Sequence, residues 1–593
     1  MPRSRSETRR AARPRAHGRP GNSGLAANAQ LPAPAWDHPA ARLAVAVAFA
    51  CILVSVSFRL YEYDFWQHLT LGKAIWQLKA VPRVELWTWP DYGSARISPS
   101  WGFSFLLWPF WALGGDIGLA TWRWLTTLAV FGLLWKTARA MGVRQLPTLV
   151  VLVVCGLIYR QRSQIRPETL AAVLLAAELW LLETRTRPRS VRDAGLVLVA
   201  WVWVNVHISF VLGWLVLAIR ALAGPRPGTG SERPSAAGLG PVLLLAVAVS
   251  FVNPFGWRAV WRPFEFAFSW RHDPLISSIS ELAPLDWSAN LSNGLPLVML
   301  GWPALVLWRW IRRGLDAVEF ASCALFTALA LSGNRFVATY AVVATPWLAR
   351  DFDDWLGTRR ARRGSERPWL VGLLTSATCV AMCLYEWTHF ENPIGLHPDA
   401  RHYPVAACDF IAANDVRGRG INDFYLGGYM LWRFWPDRSR LPFADIHPED
   451  MPAATRLAYL SALHSERGWQ QLDGSYHFDY ALLSRSHVGS GGLLDVLDRR
   501  AEWALVFVDD VAALYVRRDG AAARVAATKA YRDLPGGETK LIELVMGCAK
   551  DPALARETRD ELARQARSSP WSRRFAALAR TLELSAAERA PNR

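Results

Sequence analysis

Several common chemical signatures are missing from these 593 residues. There is no Walker loop, no glycine-rich dinucleotide turn after a strand, no nucleophile elbow and no HExxH. ATP-driven transport and soluble hydrolase chemistry therefore have no motif support. The seven cysteines (Cys51, Cys155, Cys323, Cys379, Cys383, Cys408 and Cys548) show neither zinc-ligand spacing nor a disulfide framework. Most lie inside apolar stretches, and Cys379 and Cys383, four apart, read as packing residues. Acidic residues are the scarcer charge, 50 against 67 Lys and Arg, for a net +17. A basic balance can mean nucleic acid. Here the excess Arg falls in short loops and tails between apolar stretches, where the positive-inside rule accounts for it, so no nucleic-acid partner is expected.

What is abundant is apolar and aromatic surface: 52% hydrophobic residues and 31 Trp, which suits a protein anchored at two membrane–water interfaces. A spanning helix needs about 20 mostly apolar residues. Eleven segments qualify as candidates: 42–60, 117–137, 146–160, 168–183, 193–206, 208–224, 238–253, 294–309, 317–332, 336–349 and 369–387. The stretch from Ala194 to Leu222 is divided at Asn205-Val206-His207, because polar groups cost less at a hairpin tip than at mid-membrane. The fold class expected is a polytopic α-helical membrane protein with about 11 transmembrane helices and a C-terminal soluble α/β domain.

Residues 1–41, rich in Arg, Pro, Ala and Gly, read as a disordered basic cytoplasmic tail before an uncleaved first helix. With the N-terminus inside, the cytoplasmic loops are 136–144, 185–192, 225–234, 309–313 and 350–367, and each carries Arg or Lys. The outward segments are then 61–116, 161–167, 254–293, 333–335 and everything after about 388. This places a multi-pass chain in the cell's inner (plasma) membrane, with its C-terminal domain extracytoplasmic. In the long first outward loop, Phe65 to Leu78 suits an amphipathic helix lying on the membrane, and Trp101 to Leu113 a second interfacial helix ended by Gly114-Gly115. The loop 254–293, with Trp257, Trp261, Trp270 and Trp287, also reads as interfacial. The membrane domain spans 42–388.

From 389 to 520 the pattern changes to an extracytoplasmic α/β domain. Its expected parts are a helix at Tyr403 to Asn414, a turn at Leu426-Gly427-Gly428-Tyr429, a short strand at Pro442 to Asp445 and another at Phe478 to Leu483. A hairpin is expected around Asp509-Asp510. Residues 521–593 read as a polar helical tail.

Candidate site residues cluster at the predicted outer ends of helices. Glu62 and Asp64, in Tyr61-Glu62-Tyr63-Asp64-Phe65-Trp66-Gln67-His68, point the same way if the loop is extended. Such a pair can share general-base work or hold a divalent cation, Mg or Mn, through oxygen ligands; it can also merely mark a helix end. His68 joins the same face if a helix begins at Asp64. In the outward loop Arg160, Arg162 and Arg166 stand where few cations are expected: either the inside–outside parity fails there, or these Arg pair with acidic membrane groups or a carboxylate, or they bind a phosphate, which guanidinium groups suit. Glu168 follows Pro167 at a helix start, as a second carboxylate or a dipole cap. His207 and Arg335, at outward helix tips, are candidate substrate-binding residues, with packing and snorkelling as their ordinary roles. Asp445, His447, Asp509 and Asp510 read as solvated turn residues.

The order of these features resembles the GT-C-type glycosyltransferases. A basic cytoplasmic start, one helix and then an acidic motif heading a long outward loop is that superfamily's hallmark. Ser100-Trp101 to Trp111, Leu113-Gly114-Gly115 and Trp122-Arg123-Trp124 look like the region after the first acidic motif in the protein-mannosyltransferase and aminoarabinose-transferase branch. Asp64 to Leu69 with Gly72, Pro82, Gln164-x-Arg166-Pro167-Glu168, Asn205-x-His207 and Asn253-Pro254-x-Gly256 is similar to a group of bacterial membrane proteins placed near it. The likeness covers about residues 40–350. One departure is Glu-x-Asp in place of the branch's adjacent Asp-Glu, which leaves sugar and acceptor open. The resemblance implies a membrane hexosyltransferase that moves a sugar from a polyprenyl-phosphate donor to an envelope lipid, glycan or protein on the outer face. Asp64, Glu62 and Glu168 would be catalytic and the Arg residues would hold the departing phosphate. The alternative is a non-catalytic scaffold or transport protein that binds the lipid-linked glycan.

Overall fold

The computed structural model describes residues 36–184, 187–223, 238–277, 284–360, 367–388, 393–485 and 492–589. Most of the expected N-terminal tail and the basic loops at 225–234 and 361–366 lie outside them. The chain is mostly helical. Each of the eleven apolar segments coincides with a helix: Pro39–Val56, Trp101–Ala140, Leu149–Tyr159, Pro167–Glu183, Arg189–Val204, Val211–Leu222, Leu239–Val249, Leu295–Arg313, Ala317–Ser332, Val337–Arg360 and Pro368–Thr388. Among the described residues, Pro39–Val56, Trp101–Ala140 and Pro368–Thr388 are long and apolar enough to cross a membrane by length and composition. Several others are short; a helix such as Leu149–Tyr159 rises only about 17 Å at 1.5 Å per residue, against a hydrocarbon core of about 30 Å.

Small residues let these helices approach. Ala40, Ala44 and Ala48, one turn apart on Pro39–Val56, are buried, and a Cβ on Gly372 of Pro368–Thr388 would stand 3.0 Å from the Ala40 carbonyl. At the predicted inner ends, Arg350 pairs with Asp316 (3.2 Å), Asp351 (2.7 Å) and Glu319, and Arg309 with Asp351 (3.1 Å). This ties three helices together with charges that would be costly if left unpaired.

The first outward loop differs from its expectation. Asp64–Leu78 is a helix, but its apolar face is covered by protein: ten of its fifteen residues are buried. It packs against Trp101–Ala140 on one side and Phe424–Phe434 on the other. A side chain on Gly72 would collide with the Ser104 carbonyl, so the close approach needs glycine there. Trp101–Ala140 joins the expected interfacial and spanning segments across a break at Gly115, whose φ of 51° is favourable only for glycine.

The C-terminal region carries a four-stranded sheet of β1 (Gly420–Asn422), β2 (Tyr480–Ser484), β3 (Trp503–Val508) and β4 (Ala512–Arg517), in the order β1-β2-β4-β3. β1 and β2 are parallel; β4 is antiparallel to both its neighbours. The hairpin turns at Asp509-Asp510, and Asp509 is buried, accepting from the backbone of Val511 and Ala512 at 2.8 Å. The expected strand at Pro442 to Asp445 is instead a loop. Asn422 holds it, accepting from the Phe443 and Ala444 amides (2.7 and 3.2 Å) and donating to the Ala444 carbonyl. The expected turn at Leu426 to Tyr429 lies within the helix Phe424–Phe434, although the close backbone approach is real: a Cβ on Gly427 would strike the Ala444 carbonyl. Beyond 521 the chain forms the helices Ala523–Lys529, Glu538–Lys550, Pro552–Ser568 and Arg573–Arg589, and Leu544, Cys548, Leu562, Phe575 and Leu582 share one core with the sheet.

The C-terminal region grips the first outward loop. Tyr403 donates to the Glu62 carbonyl (2.9 Å), and Trp66 packs among Tyr403, Tyr429 and Trp432. Arg96 bonds Glu85 from its own loop and Asp445 (2.7 Å) and Asp450 (3.1 Å) from the C-terminal region, while Arg262 reaches Asp450 at 2.6 Å. Three distant parts of the chain meet in this buried network. Burial disfavours the Arg96 cation, but the carboxylates of Asp445, Asp450 and Glu85 outweigh it and hold its pKa well above the usual value.

Candidate active site

Asp64 is the first residue of its helix, at the end where a carboxylate is favoured by the helix dipole. Arg166 Nη2 lies 3.5 Å from Asp64 Oδ2 and also contacts Glu62 Oε1. One guanidinium thus binds the two carboxylates expected to converge. The Tyr63 amide donates to Glu62 as well, at 3.0 Å. Glu62 is buried behind Arg166, whereas the Asp64 side chain is partly open, at 29% exposure.

Asp64 opens on a polar cavity of about 190 Å³, lined also by His68, Glu168, His207, Arg335 and His447. A second cavity, about 370 Å³ and mostly apolar, runs between the helices Pro167–Glu183, Val211–Leu222, Trp257–Phe268 and Val337–Arg360. Its lining includes Ala171, Leu175, Leu212 and Val342, with Arg162, Arg271 and Arg335 among them. Glu168, His207, Ile208 and Arg335 line both cavities, so the two adjoin there.

Of the predicted site residues, the structure brings Asp64, His68, Glu168, His207 and Arg335 to the polar cavity and Arg162 to the apolar one. Arg166 stands behind Asp64. Arg160 is elsewhere: it bonds Glu386 and the Ser55 carbonyl (2.7 Å), with its guanidinium 5.0 Å from the Phe58 ring, and lines neither cavity. Its cation meets a carboxylate from the last apolar helix, which accounts for a buried Arg in an outward loop. Glu62 also lines neither cavity.

The imidazoles are held in different states. Burial pushes His68 well below its ordinary pKa, and nearby His447 adds to this; His68 Nδ1 lies 3.0 Å from Ser104 Oγ. His207 is lowered to about 4, chiefly by burial; Glu168 opposes the shift and Arg335 reinforces it. The 3.8 Å contact between His207 Nε2 and Glu168 Oε1 is therefore not an ion pair at neutral pH. For His447 burial lowers the pKa, but Glu449, Asp445 and Asp64 together outweigh it and raise it.

Asp445 and His447 were expected to be solvated. Instead Asp445 is buried, accepting from Gln67 Nε2 and Arg96 Nη2, both at 2.7 Å, and His447 packs edge-on beside His68 at the polar cavity with ring centres 5.8 Å apart. Local sequence carries no signal for this, since their partners lie more than 340 residues away. The Asp445-x-His447 spacing is its only trace.

The Glu62–Asp64 pair does not fit a divalent cation in this arrangement. Arg166 binds both carboxylates and supplies the positive charge there. Among the described residues no group of three or more His, Cys, Asp or Glu is placed to hold a metal.

No protein-family model matches the sequence, and no curated protein matches it. Solved structures do. The oligosaccharyltransferase AglB from Archaeoglobus fulgidus, in complex with an inhibitory peptide and a dolichol-phosphate, aligns at a TM-score of 0.52 and 13% identity over 75% of this chain and 69% of that one. Its apo form aligns at 0.51 and 13% identity, over 75% and 70%. A weaker likeness, TM-score 0.44 at 15% identity, extends to ArnT from Cupriavidus metallidurans over 80% of this chain and 97% of that one. The likeness to AglB shows that this chain has the GT-C fold.

Proposed function

We propose that the chain is a membrane glycosyltransferase that takes a sugar from a polyprenyl-phosphate donor and gives it to an acceptor hydroxyl on the outer face. The observation that carries this is the junction of the two cavities at Glu168, His207 and Arg335. The apolar cavity suits an isoprenoid chain, Arg162 and Arg335 suit its phosphate, and the polar cavity then receives the sugar and the acceptor.

In the reaction, the acceptor oxygen forms a bond to the anomeric carbon as the bond from that carbon to the phosphate oxygen breaks. The phosphate leaves with the electron pair, and Arg162 and Arg335 neutralise it. The acceptor proton passes to Asp64, the partly open carboxylate, which Arg166 orients. His207, neutral at physiological pH, orients the donor. No step is routed through a metal ion.

Binding of farnesyl phosphate to the detergent-purified chain tests the reading. Arg335→Ala removes a charge-assisted hydrogen bond worth about 1.5–3 kcal/mol, so affinity should fall roughly tenfold to a hundredfold. Asp64→Asn should bind as the wild type does and transfer no sugar from any polyprenyl-phosphate donor. Unchanged affinity in Arg335→Ala would remove the carrier-phosphate reading, and full transfer by Asp64→Asn would remove the base.

A further inference from the structure

The polar cavity has a side that the donor does not explain. His447 lines it, and His447 Nδ1 is buried with no hydrogen-bond partner among the described residues. A buried polar atom left unpaired is destabilising, and a bound ligand would relieve this. The imidazole is also held in place. Gln67, one turn from Asp64, donates to Asp445 and accepts from the Ile446 amide at 3.2 Å, and the His447 amide donates to Asp445 Oδ1 at 3.0 Å. The clamp sets the imidazole beside His68 on the wall shared with Asp64.

The rest of that side has a distinct chemistry. Glu449 and Asp450 add carboxylates, and Trp270 adds an indole braced by Arg262, whose guanidinium is 4.7 Å from the ring centre. An aromatic face beside several hydrogen-bond acceptors suits a ring with one C–H face and several hydroxyls.

We propose that His447 binds the acceptor, and that the acceptor is a carbohydrate whose attacking hydroxyl lies between His447 and Asp64. The inference rests on the transferase reading above and adds to it the acceptor's class and the residue that holds it. His447 Nδ1 takes up the hydrogen bond it lacks, Trp270 stacks on the sugar, and the clamp through Gln67 keeps both aligned.

Water competes with the acceptor for the same sugar, which gives the test its readout. The full chain in detergent is supplied with short-chain polyprenyl-phosphate pentoses and hexoses, with octyl glycosides as acceptors. Glycoside product and free sugar are both measured. In His447→Gln the acceptor KM should rise at least tenfold and the ratio of transfer to hydrolysis should fall at least tenfold, with farnesyl phosphate affinity within twofold of wild type. Gln67→Leu, which releases the clamp, should lower the ratio in the same direction and stands in if His447→Gln does not fold. An unchanged ratio in both variants overturns the proposal, as does equal loss of transfer and hydrolysis, which marks a structural role. Transfer by the wild type to lipid alcohols but to no glycoside overturns the carbohydrate class. A wild type that binds farnesyl phosphate yet consumes no donor defeats the transferase reading instead.

Discussion

Arg166 shows how one side chain changes role once its neighbours are known. Its position in a basic outward loop suggested a phosphate ligand; its contacts with Glu62 and Asp64 make it the partner of the acids. Arg335 and Arg162 take the place beside the apolar cavity. His207 offers a test at this scale. Its pKa is about 4 in the folded chain against an ordinary value near 6.5, so above pH 6.5 both states are neutral and its contribution to stability is fully present. As pH falls from 6.5 towards 4 the unfolded chain takes up a proton that the folded chain does not, and stability is lost, on the order of 3 kcal/mol in all. Melting of the detergent-solubilised chain should therefore drop less between pH 7 and pH 4 in His207→Gln than in the wild type. Parallel curves would show that His207 is not held neutral.

Among the elements, the helix Asp64–Leu78 positions the site because neighbours clasp it on two sides, Trp101–Ala140 and Phe424–Phe434. The helix Phe424–Phe434 is itself seated through glycine on the loop at 442–445. Gly427 faces the Ala444 carbonyl, and backbone cannot yield as a flexible side chain would. Gly427→Ala should cost about 1–3 kcal/mol of stability by overpacking. Gly114, with nothing within 4 Å of an added Cβ, is the control, and Gly114→Ala should be neutral or slightly stabilising in its helix. Melting temperatures of the two variants check the contrast; equal values would mean that this seat on the 442–445 loop is not tight. That Asp64–Leu78 forms a helix was legible in its spacing of apolar residues. Its burial was not, because an amphipathic stripe looks the same whether it faces lipid or a distant part of the same chain.

Across the whole molecule, the transferase reading needs the C-terminal region and the first outward loop on one side of the membrane, where Arg96 and Arg262 join them to the loop that carries Trp270. All seven cysteines are buried, so thiol labelling has little background. Arg467→Cys should react with a membrane-impermeant maleimide in intact cells, and Leu315→Cys only after permeabilisation. The reverse pattern would invert the topology.

Hydropathy alone determined where the apolar helices lie, since helix-forming apolar runs are local and each of the eleven segments is helical. The order of short motifs likewise determined the superfamily resemblance and brought out Asp64, Glu168 and His207, while Arg335 stood out as a lone cation at a helix tip. Only the tertiary structure decided that Arg160 serves Glu386, that Glu62 stands behind Arg166, and that Asp445 and His447 belong at the cavity. The physical reason is range. Helix propensity and burial act over one turn or one span, whereas a buried charge or imidazole is defined by its partner, and Gln67 meets Asp445 across 378 residues of chain.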